Sequence, residues 1–223
     1  MILELAVVAE LAARCAPSVA VETLAAVMQT ESGFAPLAIG VNGPGGGPAF
    51  PKSRAAAVAL ATDLVEHQGR SVDLGLMQVN SANLPSLGLT IAEAFEPCRN
   101  VAAGARILRE GYAAARRTET DPQQALRVAL SRYNTGHPER GFDNGYVVRV
   151  QDAAEIVVPA IRLREEGAPR PAAPALPDDD PNAPPAWDVW AQATHAMEPD
   201  PVATPRMTPA ASGAPPEPLP QIP

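Results

Sequence analysis

The stretch Val21-Glu22-Thr23-Leu24-Ala25-Ala26-Val27-Met28-Gln29-Thr30-Glu31-Ser32-Gly33-Phe34 decides how the rest of the chain is read. Val21, Leu24, Ala25 and Met28 recur at the spacing of one buried helix face. Glu31 continues that row, one heptad after Leu24, and Gly33 then supplies a stop signal. A carboxylate at the C-terminal end of a buried stripe is disfavoured twice, by burial and by the negative end of the helix dipole. Both effects raise its pKa, which is what a general acid working near neutrality needs. The alternative is that Glu31 rotates outward and simply ends a helix.

Outward from this segment the chain reads as helix after helix. The first helix covers about residues 2–14, and Pro17-Ser18 opens the one that ends at Glu31. Residues 40–51 are rich in glycine and proline. No Gly-Lys-Ser/Thr follows them, so they read as a flexible loop or small hairpin and not as a phosphate cradle. An alanine-rich helix follows from Ser53 to about Gln68, with Val58, Ala61, Leu64 and Val65 inward. Thr90-Ile91-Ala92-Glu93 is a capping box for a short helix that stops before Pro97. Further helices run over about 100–117, from the Asp121-Pro122 cap to about Tyr133, and over about 145–164. There is no run of alternating strands, so the expected fold class is mainly α.

Composition divides the 223 residues in two. Residues 1–167 carry regularly spaced apolar positions and form the expected globular domain. Residues 168–223 hold 16 of the 26 prolines and read as a disordered Pro/Ala-rich acidic tail. Of the formal charge of -8, the tail accounts for -5, its seven acids facing only Arg170 and Arg206. No basic stripe appears, and aromatic residues are few, so nucleic acid is not an expected partner. Met1 to Glu10 reads as an amphipathic first helix, because it lacks a basic leader and contains two glutamates; it is neither a secretory signal nor a membrane span.

Cys15 and Cys98 are the only cysteines, and His67, His137 and His195 make no metal-ligand spacing, so no metal or cofactor is expected. The cysteines are either two buried thiols or one disulfide. Closing their 83-residue separation would stabilise the fold by about 4–5 kcal/mol in the chain-entropy model. A disulfide would also place the protein in an oxidising compartment.

Two further segments break the helical pattern. One is Asp73-Leu74-Gly75-Leu76-Met77-Gln78-Val79-Asn80, rich in side-chain amides, and the other is Ser131-Arg132-Tyr133-Asn134-Thr135-Gly136. One acid, several amides and a tyrosine suit a carbohydrate cleft, since uncharged amides pair with sugar hydroxyl and N-acetyl groups without a charge penalty. Ordinary glycosidases supply two carboxylates. The second candidate here, Asp73, precedes a glycine turn, and capping that turn is its favoured role.

Glu31-Ser32-Gly33-Phe34, Gly75-Leu76-Met77-Gln78-Val79-Asn80 and Tyr133-Asn134-Thr135-Gly136, with Pro97-Cys98-Arg99-Asn100 after the second motif, resemble the soluble lytic transglycosylase family in kind and order. The likeness covers about residues 8–155 and is strongest to the small lytic transglycosylases of type IV secretion and conjugation systems. The resemblance implies a goose-lysozyme-like, mainly α domain acting on peptidoglycan glycan strands in the periplasm. The bond cut would be the β-1,4 link between N-acetylmuramic acid and N-acetylglucosamine, leaving a 1,6-anhydro end. Glu31 would be the lone catalytic residue, acid first and base second.

The same resemblance assigns substrate contacts. Ser32 would hydrogen-bond near the carboxylate, Gln78 and the Met77 backbone would line the sugar subsite, and Tyr133 and Asn134 would position the sugar and the glutamate. Tyr146 matches a further cleft tyrosine, and Asn80 belongs to the second motif. Core packing is the alternative for Met77 and Tyr146, and capping of the next turn for Asn80. In the family, Cys15 and Cys98 match positions that pair. Two other functions remain in play: a hydrolytic lysozyme of the same fold, with Asp73 holding a water, and a non-catalytic scaffold. The scaffold's tail, through Trp187-Asp188-Val189-Trp190, would recruit secretion-system components.

Overall fold

The computed structural model describes residues 2–167, with side chains through Arg162. The expected disordered tail and its Trp187–Trp190 segment lie outside the described residues. Helices dominate, as expected. Helix α1 (Leu5–Cys15) buries Val8, Leu11 and Ala12, and α2 (Val21–Ser32) buries Leu24 through Met28. Helix α2 starts later than Pro17-Ser18. Val19 first closes a turn onto the Ala16 carbonyl, and both side chains are buried there before the helix begins.

Ser53 caps α3 (Arg54–Thr62), accepting from the Ala56 amide. The winding then loosens into a π-helical turn at Asp63–His67, so the expected helix has the right extent but not one geometry. Two short helices follow, α4 (Leu84–Leu87) and α5 (Ile91–Ala94), the latter opened by the Thr90–Glu93 capping box. The long α6 (Pro97–Ala115) lies between α1 and α7 (Pro122–Thr135), which Asp121 caps through the amides of Gln123 and Gln124. The short α8 (Arg140–Asp143) leads into α9 (Tyr146–Gly167), which packs along α2.

The glycine-rich region is a hairpin, β1 (Ile39–Val41) with β2 (Pro48–Ala49). It extends into something that the helical reading omits. Strands β3 (Val72–Leu74) and β4 (Val79–Asn80) complete an antiparallel sheet of order β2-β1-β3-β4. Asp73 stands opposite both Gly40 and Asn80 in this sheet. One core unites these elements, built from Leu24, Met28, Ile39, Leu74, Met77, Phe95, Leu108 and Tyr146, each nearly or fully inaccessible.

A disulfide joins Cys15 at the end of α1 to Cys98 in the first turn of α6. Among the described residues no helix is long and apolar enough to cross a membrane.

Candidate active site

Gly33 ends α2 in the left-handed conformation, its amide donating to the Gln29 carbonyl. Phe34 follows with φ of 65°, an unusual value for a residue with a side chain, and its ring is buried. The chain therefore turns sharply just beyond Glu31, and the helix end becomes one wall of a cleft. Ser32 sews that end to the next segment, its hydroxyl donating to the carbonyls of Leu76 (2.8 Å) and Met28 (3.1 Å). It positions the helix rather than standing in the cleft.

The β3–β4 turn is the second wall. Gly75 and Gln78 both take positive φ, and Gln78 Nε2 donates to the carbonyls of Gly75 and Ala38. Asn100 fixes the turn from α6. Although almost completely buried, it receives the Met77 amide and donates to the Leu74 and Ala94 carbonyls. The Met77 side chain takes the core-packing alternative offered for it. It is fully inaccessible and sits against Gly104, where a Cβ would come within 2.6 Å of the Met77 Cβ. The apolar side chain fills the gap that this glycine leaves, and only its backbone serves the site. Tyr133, on the last turns of α7, donates its hydroxyl to the Met77 carbonyl at 2.5 Å. Burial, then the charges of Glu31 and Asp73, push the Tyr133 pKa well above its ordinary value, so the phenol keeps its proton.

Tyr146 shows that the two readings offered for it are compatible. It is buried core, and it also donates its hydroxyl to Glu31 Oε1 at 2.5 Å. Its own pKa is driven upward, first by burial and then by the Glu31 charge. Glu31 itself is raised from an ordinary 4.5 to about 7. Burial is the main cause; the Tyr146 hydrogen bond and Arg149 oppose it, and Asp73 adds to it. Arg149 lies over the Tyr146 ring at 5.7 Å, a cation–π contact that sequence reading did not single out.

Asp73 is not the cap of the glycine turn. Its two oxygens accept from the side-chain amides of Asn42 (2.9 Å) and Asn80 (2.7 Å). The short strands explain this, since pairing β1 with β3 and β3 with β4 puts all three residues on one sheet face. Asn80 also does what its alternative reading expected, accepting from the Ala82 amide to cap the following turn. Asn134 accepts from Asn144.

Glu31, Asp73, Gln78, Asn80, Tyr133 and Asn134 meet around a cleft of about 520 Å³, together with Asn42, Asn83, Ile107 and Arg132. Sequence reading gave no role to Asn42 or Arg132. Nothing local marks them, and their importance comes from what the fold brings opposite them. Among the described residues no group of His, Cys, Asp or Glu is gathered that could hold a metal ion. The cleft therefore offers one protonatable carboxyl near neutrality, surrounded by amides and phenols.

The family described as the transglycosylase SLT domain matches residues 9–154. "Protein virB1" of Agrobacterium fabrum is 41% identical over 182 residues, spanning 80% of this chain and 68% of that protein. "Type IV secretion system protein virB1" of Brucella abortus biovar 1 is 42% identical over 176 residues, spanning 74% and 73%. The same-named protein of Brucella suis biovar 1 is equally similar. No solved structure matches the chain significantly.

Proposed function

The chain belongs to the transglycosylase SLT domain family as a lytic transglycosylase of peptidoglycan with a lysozyme-like fold, and from that premise we propose that Glu31 is its single acid and base. The observation that carries the proposal is the Glu31 carboxyl, held by Tyr146 and raised to about pKa 7 inside the cleft.

In this reading Glu31 acts twice. Protonated Glu31 gives its proton to the glycosidic oxygen between N-acetylmuramic acid and N-acetylglucosamine, and the C1–O bond breaks. The substrate N-acetyl group supports the positive charge that develops at C1. Glu31, now a carboxylate and still hydrogen-bonded by Tyr146, takes the proton of the muramoyl C6 hydroxyl. That oxygen bonds to C1, giving the 1,6-anhydro end and restoring protonated Glu31 without consuming water. A pKa near 7 suits both halves, because donor and acceptor forms are then close in free energy at the working pH.

Gln78, Asn80, Tyr133 and Asn134 line the sugar subsite in this reading, while Ser32, Tyr146 and the Met77 backbone hold its walls. A hydrolytic route would need Asp73 to steer a water; in this structure each of its oxygens accepts one asparagine amide. The relatives named for type IV secretion support the biological setting: a wall-opening enzyme for a type IV secretion or conjugation apparatus, acting in the periplasm. The disulfide suits such an oxidising compartment.

Replacing Glu31→Gln keeps the side-chain shape and removes the proton. Release of 1,6-anhydro-muropeptides from purified peptidoglycan, followed by mass spectrometry, should fall by about 10²–10⁴-fold. Full activity in that variant would overturn the assignment, and reducing ends in place of anhydro ends would point to hydrolysis.

A further inference from the structure

Amides and hydroxyls dominate the polar lining of the cleft, which suits an uncharged sugar chain. Arg132 is the exception, the one cation among the lining residues. Its Nε is buried and has no hydrogen-bond partner among the described residues. Several other arginines are engaged, Arg54, Arg99 and Arg106 with carboxylates and Arg70 and Arg149 with backbone carbonyls, but only Arg132 keeps a buried side-chain nitrogen without a partner among the described residues. An unpaired buried donor is costly, and the cost is greater on a charged group. The protein tolerates that cost at Arg132, beside Tyr133 and Asn134 on α7, where a bound strand would run.

Tuning of the acid does not explain the residue. The cation that lowers the Glu31 pKa is Arg149. Nor is the side chain loosely placed, since its Cβ lies 3.7 Å from where a Cβ on Gly111 of α6 would stand, and this helix contact directs the stem. A guanidinium is a planar set of N–H donors that matches a carboxylate. The glycan backbone of the substrate carries no charge. Its negative charge enters with the peptide borne on the lactyl arm of the muramoyl sugar.

We propose that Arg132 is a specificity-determining residue of the cleft, pairing through its guanidinium with a carboxylate of the peptide carried by the muramoyl sugar. The inference rests on the transglycosylase reading and extends it from the sugar chain to its side chain. The enzyme thereby distinguishes peptide-bearing strands from strands whose peptides have lost that charge.

The test alters the substrate first, so that it does not depend on how a variant folds. Wild-type protein is given purified peptidoglycan strands, and the same strands after their peptide carboxylates have been converted to carboxamides. KM for anhydro-end formation should rise about 10- to 100-fold on the amidated strands while kcat changes little, the signature of a lost binding contact. In Arg132→Gln the ratio of KM values between the two substrates should collapse to about one. Equal wild-type KM values on both strands, or a ratio that persists in Arg132→Gln, would overturn the proposal while leaving the transglycosylase reading intact. Absence of anhydro ends on both substrates would instead sink that reading, and this inference with it.

Discussion

Glu31 is balanced between opposing influences. Burial and the nearby Asp73 favour its neutral form, and the Tyr146 hydroxyl and Arg149 favour its charged one. Burial wins, which leaves the carboxyl titrating near 7. With Glu31 as the proposed proton donor, cleavage should fall as pH rises through about 7, with kcat/KM following the free enzyme. Tyr146→Phe removes an influence that lowers the pKa, so the alkaline limb of the profile should move to higher pH. Anhydro-muropeptide release measured across pH checks this; an unmoved or downward-shifted limb would contradict the role given to the phenol. At this scale the sequence was informative wherever a residue violated a pattern. Glu31 stood out as an acid on an apolar face. Met77 stayed open between cleft and core, because its burial depends on Gly104 lying opposite it in space. Arg132 was hidden for the converse reason, since a missing partner is visible only once the neighbours are placed.

Among elements, the helices were legible and the sheet was not. Caps and periods carry information over many residues, as Asp121 and the Thr90–Glu93 box illustrate. Strands of two or three residues are too short to show alternation, so β3 and β4 emerge only through pairing with the hairpin. The sheet also decides the place of Asp73, which is why its role could not be read beforehand. What fixes this strand pair to the helices is Asn100. Asn100→Leu would leave the Met77 amide without its acceptor and take a donor from the Leu74 and Ala94 carbonyls in the core. At about 1–3 kcal/mol for each unsatisfied group, with some relaxation, a loss of several kcal/mol is expected. Thermal unfolding checks the magnitude, and anhydro-end formation should fall as well because Tyr133 leans on Met77. A variant as stable as the parent would refute the anchoring role.

For the molecule as a whole, the cleft is a meeting of distant parts: the end of α2, the small sheet, and the end of α7, with α9 behind. The disulfide ties α1 to the start of α6. Replacing Cys15→Ser and Cys98→Ser together should cost up to about 4–5 kcal/mol and lower Tm by roughly 10–20 °C, which calorimetry checks. A Tm unchanged in the double variant would show that the helices need no staple. The hydrogen bond from Tyr146 to Glu31 has a different consequence, one of timing. The two residues stand 115 positions apart, at opposite ends of the domain in chain order. A ribosome delivers the glutamate 115 residues before the tyrosine, so the nascent chain carries the acid well before its hydrogen-bond partner exists. Synthesis broken off before Tyr146 yields a polypeptide that has the acid but lacks both the phenol bonded to it and the helix that packs along α2.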